Sequence, residues 1–255
     1  MARKPTAFLE KSGPRHASQK SWNGNGLLPT TPSHVARLLK ELKWTPQLPI
    51  VRATQRDDKA IAEWQREQWP ELQKKARLEH RTLVFVDESG FYLLPARVRT
   101  YAPREQPPTL RVFETRDHLS AMKAITSQGW LFTLIRDDAL TGVESVRSLK
   151  HLLANLDRKL LVIWDGSPIY RGHEVKADLA EGAAKHVHLE RLPAYAPDLN
   201  PDEGVWSHLK TVELRNVCCL DLAHLRHQFD LAVTRLRRKP HLIQSFFGGA
   251  SLDLI

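Results

Sequence analysis

Two short runs constrain this chain more than any other feature: Leu83-Val84-Phe85-Val86-Asp87 and Leu161-Val162-Ile163-Trp164-Asp165. Each is an unbroken row of apolar, mostly β-forming residues that stops at an aspartate. A strand with one wet face alternates apolar and polar residues, whereas a continuous apolar run is what a sheet covered on both faces buries. Gly90 and Gly166 follow the two runs as turn formers. "HLSAMKAITSQGWLFTLI" reads as two strands joined by a turn at Gln128-Gly129. "VESVRSLKHLLANL" has the spacing of an amphipathic helix. "RGHEVKADLAEGAA" suggests another helix, and "HVHLERL" a further strand. A hairpin followed by strands alternating with helices predicts an α/β fold, a mixed β-sheet flanked by helices.

With 255 residues the chain can hold one substantial domain and a small appendage. Its 42% hydrophobic and 26% charged residues exclude global disorder. The formal charge of +9 and pI of about 9.7 point to a polyanionic partner, nucleic acid first; the plain alternative is a basic protein with no such partner. Cys218 and Cys219 are adjacent, so they form no ordinary bridge, and no CxxC pair offers a zinc site. The expected compartment is therefore reducing and cytoplasmic. No apolar run approaches the roughly 18 residues of a membrane span, and "MARKPTAFLEKSGPRH" lacks the apolar region of a signal peptide.

Residues 1–30, rich in Gly, Pro, Ser, Asn and Lys, read as flexible. In "TTPSHVARLLKELKW", Thr31 can cap a helix that Pro32 opens, and Val35, Leu38, Leu39 and Leu42 recur at helical spacing. Arg37, Lys40 and Lys43 lie among them as candidate DNA contacts. The segment is either a plain surface helix or the recognition helix of a helix-turn-helix. An extended basic linker follows to residue 56. Residues 57–80 form a connecting helix that Pro70 breaks or kinks. The sheet and its helices occupy 81–215, and basic helices 216–255. Arg235, Arg237, Arg238 and Lys239 cluster at the end of one of these, as a solvated helix terminus or as phosphate contacts.

Ligands of such sheets bind beyond the carboxyl ends of the strands, where Asp87 and Asp165 are expected. On neighbouring strands the two carboxylates converge, and at about 4 Å they repel by around 4 kcal/mol at an effective dielectric of about 20. Either one protonates or a cation sits between them; oxygen ligands favour Mg²⁺ or Mn²⁺. A third acid comes from "LPAYAPDLNPDEGVWSHLK". Asn200 suits an N-cap, Pro201 the first helical position and Glu203 the third, a capping-box-like start that also fixes an acid rigidly. The apolar stripe Val205, Trp206, Leu209 and Val212 places Asp202 nearer its middle than Glu203, which favours Asp202 as the ligand and leaves Glu203 open. Trp206 reads as packing beneath the site, His186 and His188 as structural. Three carboxylates on two divalent ions make a phosphoryl-transfer site.

"VFVDESG", "LVIWDGSPIYRG" and "LPAYAPDLNPDEGVWSHLK", in that order, resemble the transposases of the bacterial insertion sequence 630 branch of the mariner-like superfamily. The similarity extends from about Pro32 to near Phe247. It implies a ribonuclease H-like catalytic domain with two Mg²⁺ or Mn²⁺ ions, cutting inverted-repeat ends and joining them to target DNA. It also implies a homodimer assembled on DNA in the bacterial cytoplasm, associated with the nucleoid and away from membranes. Carried over, Asp87 and Asp165 are the first two catalytic acids; the Asn-Pro-x-Glu pattern makes Glu203 the third, with Asp202 as fallback. Tyr170 stands where the family often has His, and Asp202 where it is commonly apolar. Only one helix of the family's paired helix-turn-helix modules is recognisable, around Ser33 to Leu42, which implies a truncated helical DNA-binding remnant and a truncated or second-frame copy. The rival readings are a non-catalytic DNA-binding protein with the same fold and a metal-dependent nuclease of another class.

Overall fold

The run into Asp87 becomes the middle strand of the sheet. The computed structural model describes residues 31–254 apart from 46, 48–51 and 113. The segment expected to be flexible, 1–30, and part of the expected linker lie outside the described residues. One compact unit ends at Arg52 and a second begins at Ala53. In the first, helix α1 (Pro32–Glu41) starts at Thr31, whose hydroxyl accepts the His34 amide. Its apolar residues Val35, Leu38 and Leu39 are exposed, as is Leu42 after it.

In the second unit, α2 (Asp58–Glu63) and α3 (Trp69–Leu78) are joined by a π-helical turn, Trp64–Gln68, so the expected disturbance falls just before Pro70. Strand β1 (Arg81–Tyr92) leads into β2 (His118–Thr126) and β3 (Leu131–Arg136). Then come α4 (Gly142–Leu156), β4 (Lys159–Trp164), α5 (His173–Ala180) and β5 (Val187–Arg191). The sheet order is β3-β2-β1-β4-β5. The β1–β2 and β2–β3 pairs are antiparallel, and β4 lies parallel to both β1 and β5. This is the mixed sheet expected from a hairpin followed by crossover units. Gly129, with φ of +85°, turns the hairpin at a point where a Cβ would collide with the backbone of Pro240.

Period-2 geometry sends alternate residues of the apolar runs to opposite faces. Leu83, Phe85, Phe91, Leu161 and Ile163 join one core with Trp69, Trp206, Phe229 and Phe247. These aromatics come from α3, α6 (Pro201–His208), α7 (Leu222–Arg237) and α8 (Pro240–Gly249). Phe85 meets Phe247 edge-on at 5.5 Å between centroids, and Phe91 meets Phe229 at 4.7 Å. Val84, Val86, Leu160, Val162 and Trp164 face a second core with Leu149 and Leu152 of α4 and Val175 of α5. Both faces are covered, which is why neither run alternates.

Two local expectations need correction. Strand β1 does not stop at Asp87. Its parallel pairing with β4 ends at Val86↔Trp164, but β2 supplies partners as far as Tyr92↔His118. Asp87 is thus at a strand end on one side only. The stripe on α6 also fails at its last member. Val205, Trp206 and Leu209 are buried, but Val212 is 48% exposed. A π-helical segment, Leu209–Glu213, follows α6, and its wider turn shifts the phase and brings the Glu213 side chain inward. No helix among the described residues is long and apolar enough to cross a membrane.

Candidate active site

Asp87 lies on the α6 face of the sheet, in register with Lys123 of β2. Lys123 is read off the sequence as one residue of an apolar strand; in the structure its side chain is 0% exposed. Its ammonium donates to Asp202 Oδ1 at 2.5 Å and to the Asp202 carbonyl at 2.9 Å, and stands 4.0 Å from the centre of the Trp206 ring. Trp206 Nε1 in turn donates to Asp87 Oδ2 at 3.0 Å. A polar group of four side chains is thereby sealed inside the larger core.

Burial governs the titration of this group. Desolvation, then the charges of Asp202 and Glu203, push Asp87 up to about 8, against the pull of Lys123 and the Trp206 bond. Burial raises Asp202 and lowers Lys123, and their mutual attraction opposes both shifts. Lys210, in the π-helical segment, donates to Ser89 Oγ at 2.7 Å. Burial lowers its ammonium, while the charges of Glu203 and Asp87 hold it up.

At the start of α6 the two neighbouring acids, Asp202 and Glu203, have different surroundings. Asn200 caps α6 by accepting the Asp202 amide at 3.2 Å. Asp202 then points inward, 0% exposed and bonded to Lys123, with Oδ2 left without a partner. Glu203 is exposed and acts on Asp87 through its charge. The stripe correctly indicates which acid faces the core, and that is the acid already neutralised by a lysine.

Asp165 follows β4, exposed, with Oδ1 accepting the Ser167 amide at 2.8 Å. Its charge acts on Glu88, which lies beside Asp87 in sequence but on the α4 side of the sheet. The Ser167 hydroxyl donates to Glu88 Oε1 at 2.7 Å. Tyr170 stacks on Trp164 at 4.5 Å between centroids and turns its hydroxyl toward Glu88, though neither Tyr170 Oη nor Glu88 Oε2 has a partner at hydrogen-bond geometry. Burial, then the neighbouring Glu88, holds the phenol well above its usual range. Asp87 and Glu203 thus share one environment, and Asp165 shares another with Glu88. Among the described residues no three His, Cys, Asp or Glu side chains stand close enough to hold a metal ion. The donors present suit a hard divalent ion all the same. Mg²⁺ commonly takes only one or two carboxylates, with water and substrate phosphate completing its shell, and Asp87 Oδ1 and Asp165 Oδ2 have no bonding partner among the described residues.

The basic residues expected to meet DNA divide as well. Arg235 and Lys239 pair with Glu213 at 2.5 and 3.3 Å, and Arg237 donates to the Leu131 carbonyl at 2.9 Å. Arg238 has no side-chain partner among the described residues. On α1, Arg37 contacts His34 Nδ1 at 2.9 Å and Glu41 at 3.8 Å; Lys40 on the helix and Lys43 in the turn after it are exposed. Lys123, Lys210 and Glu88 escape sequence reading. Only Lys123 leaves a sign: a charge in register with the inward residues Leu119, Ala121 and Ile125.

A family model described as "DDE superfamily endonuclease" matches residues 82–225, and one described as "winged helix-turn helix" matches 30–68. The second match runs past Ser33–Leu42 to include α2. Among solved structures, the mariner Mos1 paired end complex with Mg superposes with a TM-score of 0.60 at 16% identity, covering 87% of this chain and 69% of that one. The Mos1 paired end complex with Mn gives 0.58 at 16% identity, over 85% and 68%. The Mos1 strand transfer complex gives 0.57 at 17% identity, over 86% and 69%. At these identities the likeness is one of fold, the ribonuclease H-like sheet. No curated protein sequence matches the chain.

Proposed function

Since this chain belongs to the DDE superfamily of endonucleases, we propose that it is a DNA transposase of the insertion sequence 630 type, with Asp87, Asp165 and Glu203 as its catalytic acids. One observation carries this reading. Two neighbouring parallel strands end their pairing at Val86↔Trp164, so Asp87 and Asp165 are the next residues on adjacent strands, at the carboxyl ends where such sheets bind ligands. The helix over Asp87 brings Glu203 in its first turn. Asp87, Asp165 and Glu203 would hold two Mg²⁺ or Mn²⁺ ions together with phosphate oxygens of the DNA. Such ions supply Lewis acidity at phosphorus and an activated water or 3′-hydroxyl.

The chain's own residues prepare the acids. Trp206 ties one oxygen of Asp87 and leaves the other open; the Ser167 amide does the same for Asp165. The Lys123–Asp202 pair pins the start of α6 to β2, so that Glu203 is presented from a fixed turn. Asp202 is the weaker ligand candidate because a metal would have to displace the ammonium already on it. In the reaction, water attacks the phosphorus at an inverted-repeat end and the 3′-oxygen leaves. The freed 3′-hydroxyl then attacks a target phosphodiester, whose own 3′-oxygen leaves. The winged helix-turn-helix match supports DNA contact through Arg37, Lys40 and Lys43. A homodimer would bring two ends together in the nucleoid.

Purified protein with Mg²⁺ or Mn²⁺ is expected to nick DNA carrying the inverted repeats that flank its gene, and Asp165→Asn to abolish nicking. Unchanged cutting by that variant would overturn the assignment. A second reading, a non-catalytic DNA-binding protein of the same fold, is favoured by the lack of a three-ligand cluster among the described residues. Calorimetry separates the two: absence of Mn²⁺ binding with DNA present supports the second.

A further inference from the structure

Beside Asp165 the sheet rim opens into a cavity of about 270 Å³ between the β4 and β5 ends and α5. Arg171, Lys176 and Arg191 line it. All three side chains are exposed, and none has a hydrogen-bond or ion-pair partner among the described residues. Asp165 lines the same cavity with only Oδ1 held, by the Ser167 amide, while two other acids nearby are engaged. Asp178, two residues beyond Lys176, binds Lys150 at 2.8 Å, and Glu190 stands 3.6 Å from His188. Arg191 pairs in register with Trp164 and spreads its guanidinium over Gly166, into the space a Cβ would occupy. This glycine directly follows Asp165, so the missing side chain lets a fork of donors lie against the backbone beside a candidate catalytic acid. The predicted DNA contacts Arg235, Arg237 and Lys239 are, by contrast, bonded within the protein.

A planar guanidinium with its donors unspent suits a phosphodiester, which it can bind through two parallel hydrogen bonds. Two further cations on the same wall favour an anionic chain over a single small anion. We infer that Arg191, with Arg171 and Lys176, forms a subsite for two successive backbone phosphates of the DNA strand running past Asp165. The inference rests on the endonuclease reading for its ligand, but it concerns binding and needs no metal.

The test is fluorescence anisotropy of a labelled mixed-sequence duplex in EDTA, across a salt series. Comparison is between wild type, Arg171→Gln/Lys176→Gln/Arg191→Gln, and a charge-matched control at exposed cations elsewhere, Lys74→Gln/Arg77→Gln/Lys185→Gln. Each lost duplex phosphate contact lowers the slope of log affinity against log salt by about 0.9. The triple variant is expected to lose about two units of slope and at least tenfold in affinity at low salt. The control is expected to keep its slope. Arg191→Gln alone should lose about one unit and Arg191→Lys should recover part of the loss, which serves if the triple variant does not fold. Equal slopes for the pocket variants and wild type, or an equal loss in the control, would overturn the subsite. Pocket variants that lose slope while the wild type never nicks DNA would sink the catalytic reading and leave the subsite standing.

Discussion

The two sides of the candidate site solve opposite problems. Around Asp87 the charges are sealed: Lys123 and Asp202 are 0% exposed, and Trp206 spans the gap to Asp87. Around Asp165 they lie open: its carboxylate and three cations without partners among the described residues are exposed at the rim, above Ser167 and the partly buried Glu88. A buried charge must find its counter-charge inside the protein, or it shifts to the neutral form. An open one can wait for a ligand. The sealed side sets geometry, and the open side is where metal and DNA would arrive.

The largest effect should come from splitting the sealed pair. Lys123→Met leaves Asp202 buried without its partner, which costs about 3–5 kcal/mol of stability. Adding Asp202→Leu should recover most of that in a double-mutant cycle measured by urea unfolding. If Lys123→Met costs no more than an exposed lysine, the pair is not sealed and the contrast fails. Trp206→Phe comes next. It removes a hydrogen bond to a carboxylate, worth about 1.5–3 kcal/mol. Because that bond favours ionised Asp87, its loss should move the carboxyl titration seen by ¹³C NMR further upward; a downward movement would contradict the assigned role. The smallest effect concerns Glu213. Its burial acts to raise it, but Arg235 and Lys239 outweigh burial and hold it below the usual carboxylate range. A depressed acid contributes stability above its unfolded value of about 4.3 and loses it as pH falls through the lower folded value. Glu213→Gln should therefore flatten the acid limb of the stability curve, by about 1 kcal/mol given the exposed partners. An unchanged acid limb would mean that Arg235 and Lys239 are as free as the rim cations.

The order of helices and strands was largely legible, because both apolar runs obey the rule for doubly covered strands. What misled was local. The strand through Asp87 continues because β2 outlasts β4, and no periodicity in residues 83–92 encodes a partner's length. Val212 turned outward because a π-helical segment broke the 100° rotation that the stripe assumes. The basic cluster Arg235–Lys239 looked free until Glu213, from a different helical segment, met two of its members.

The sequence by itself determined the sheet, the acids at its rim and the proline-braced helix start, since each depends on neighbours within a few residues. It also contained the choice between Asp202 and Glu203 without deciding it. Tertiary structure separated them: Lys123, far away in the chain, buries its ammonium against Asp202 and leaves Glu203 to solvent. Which charges are spent and which remain available depends on contacts between segments distant in sequence, and only folding brings those segments together.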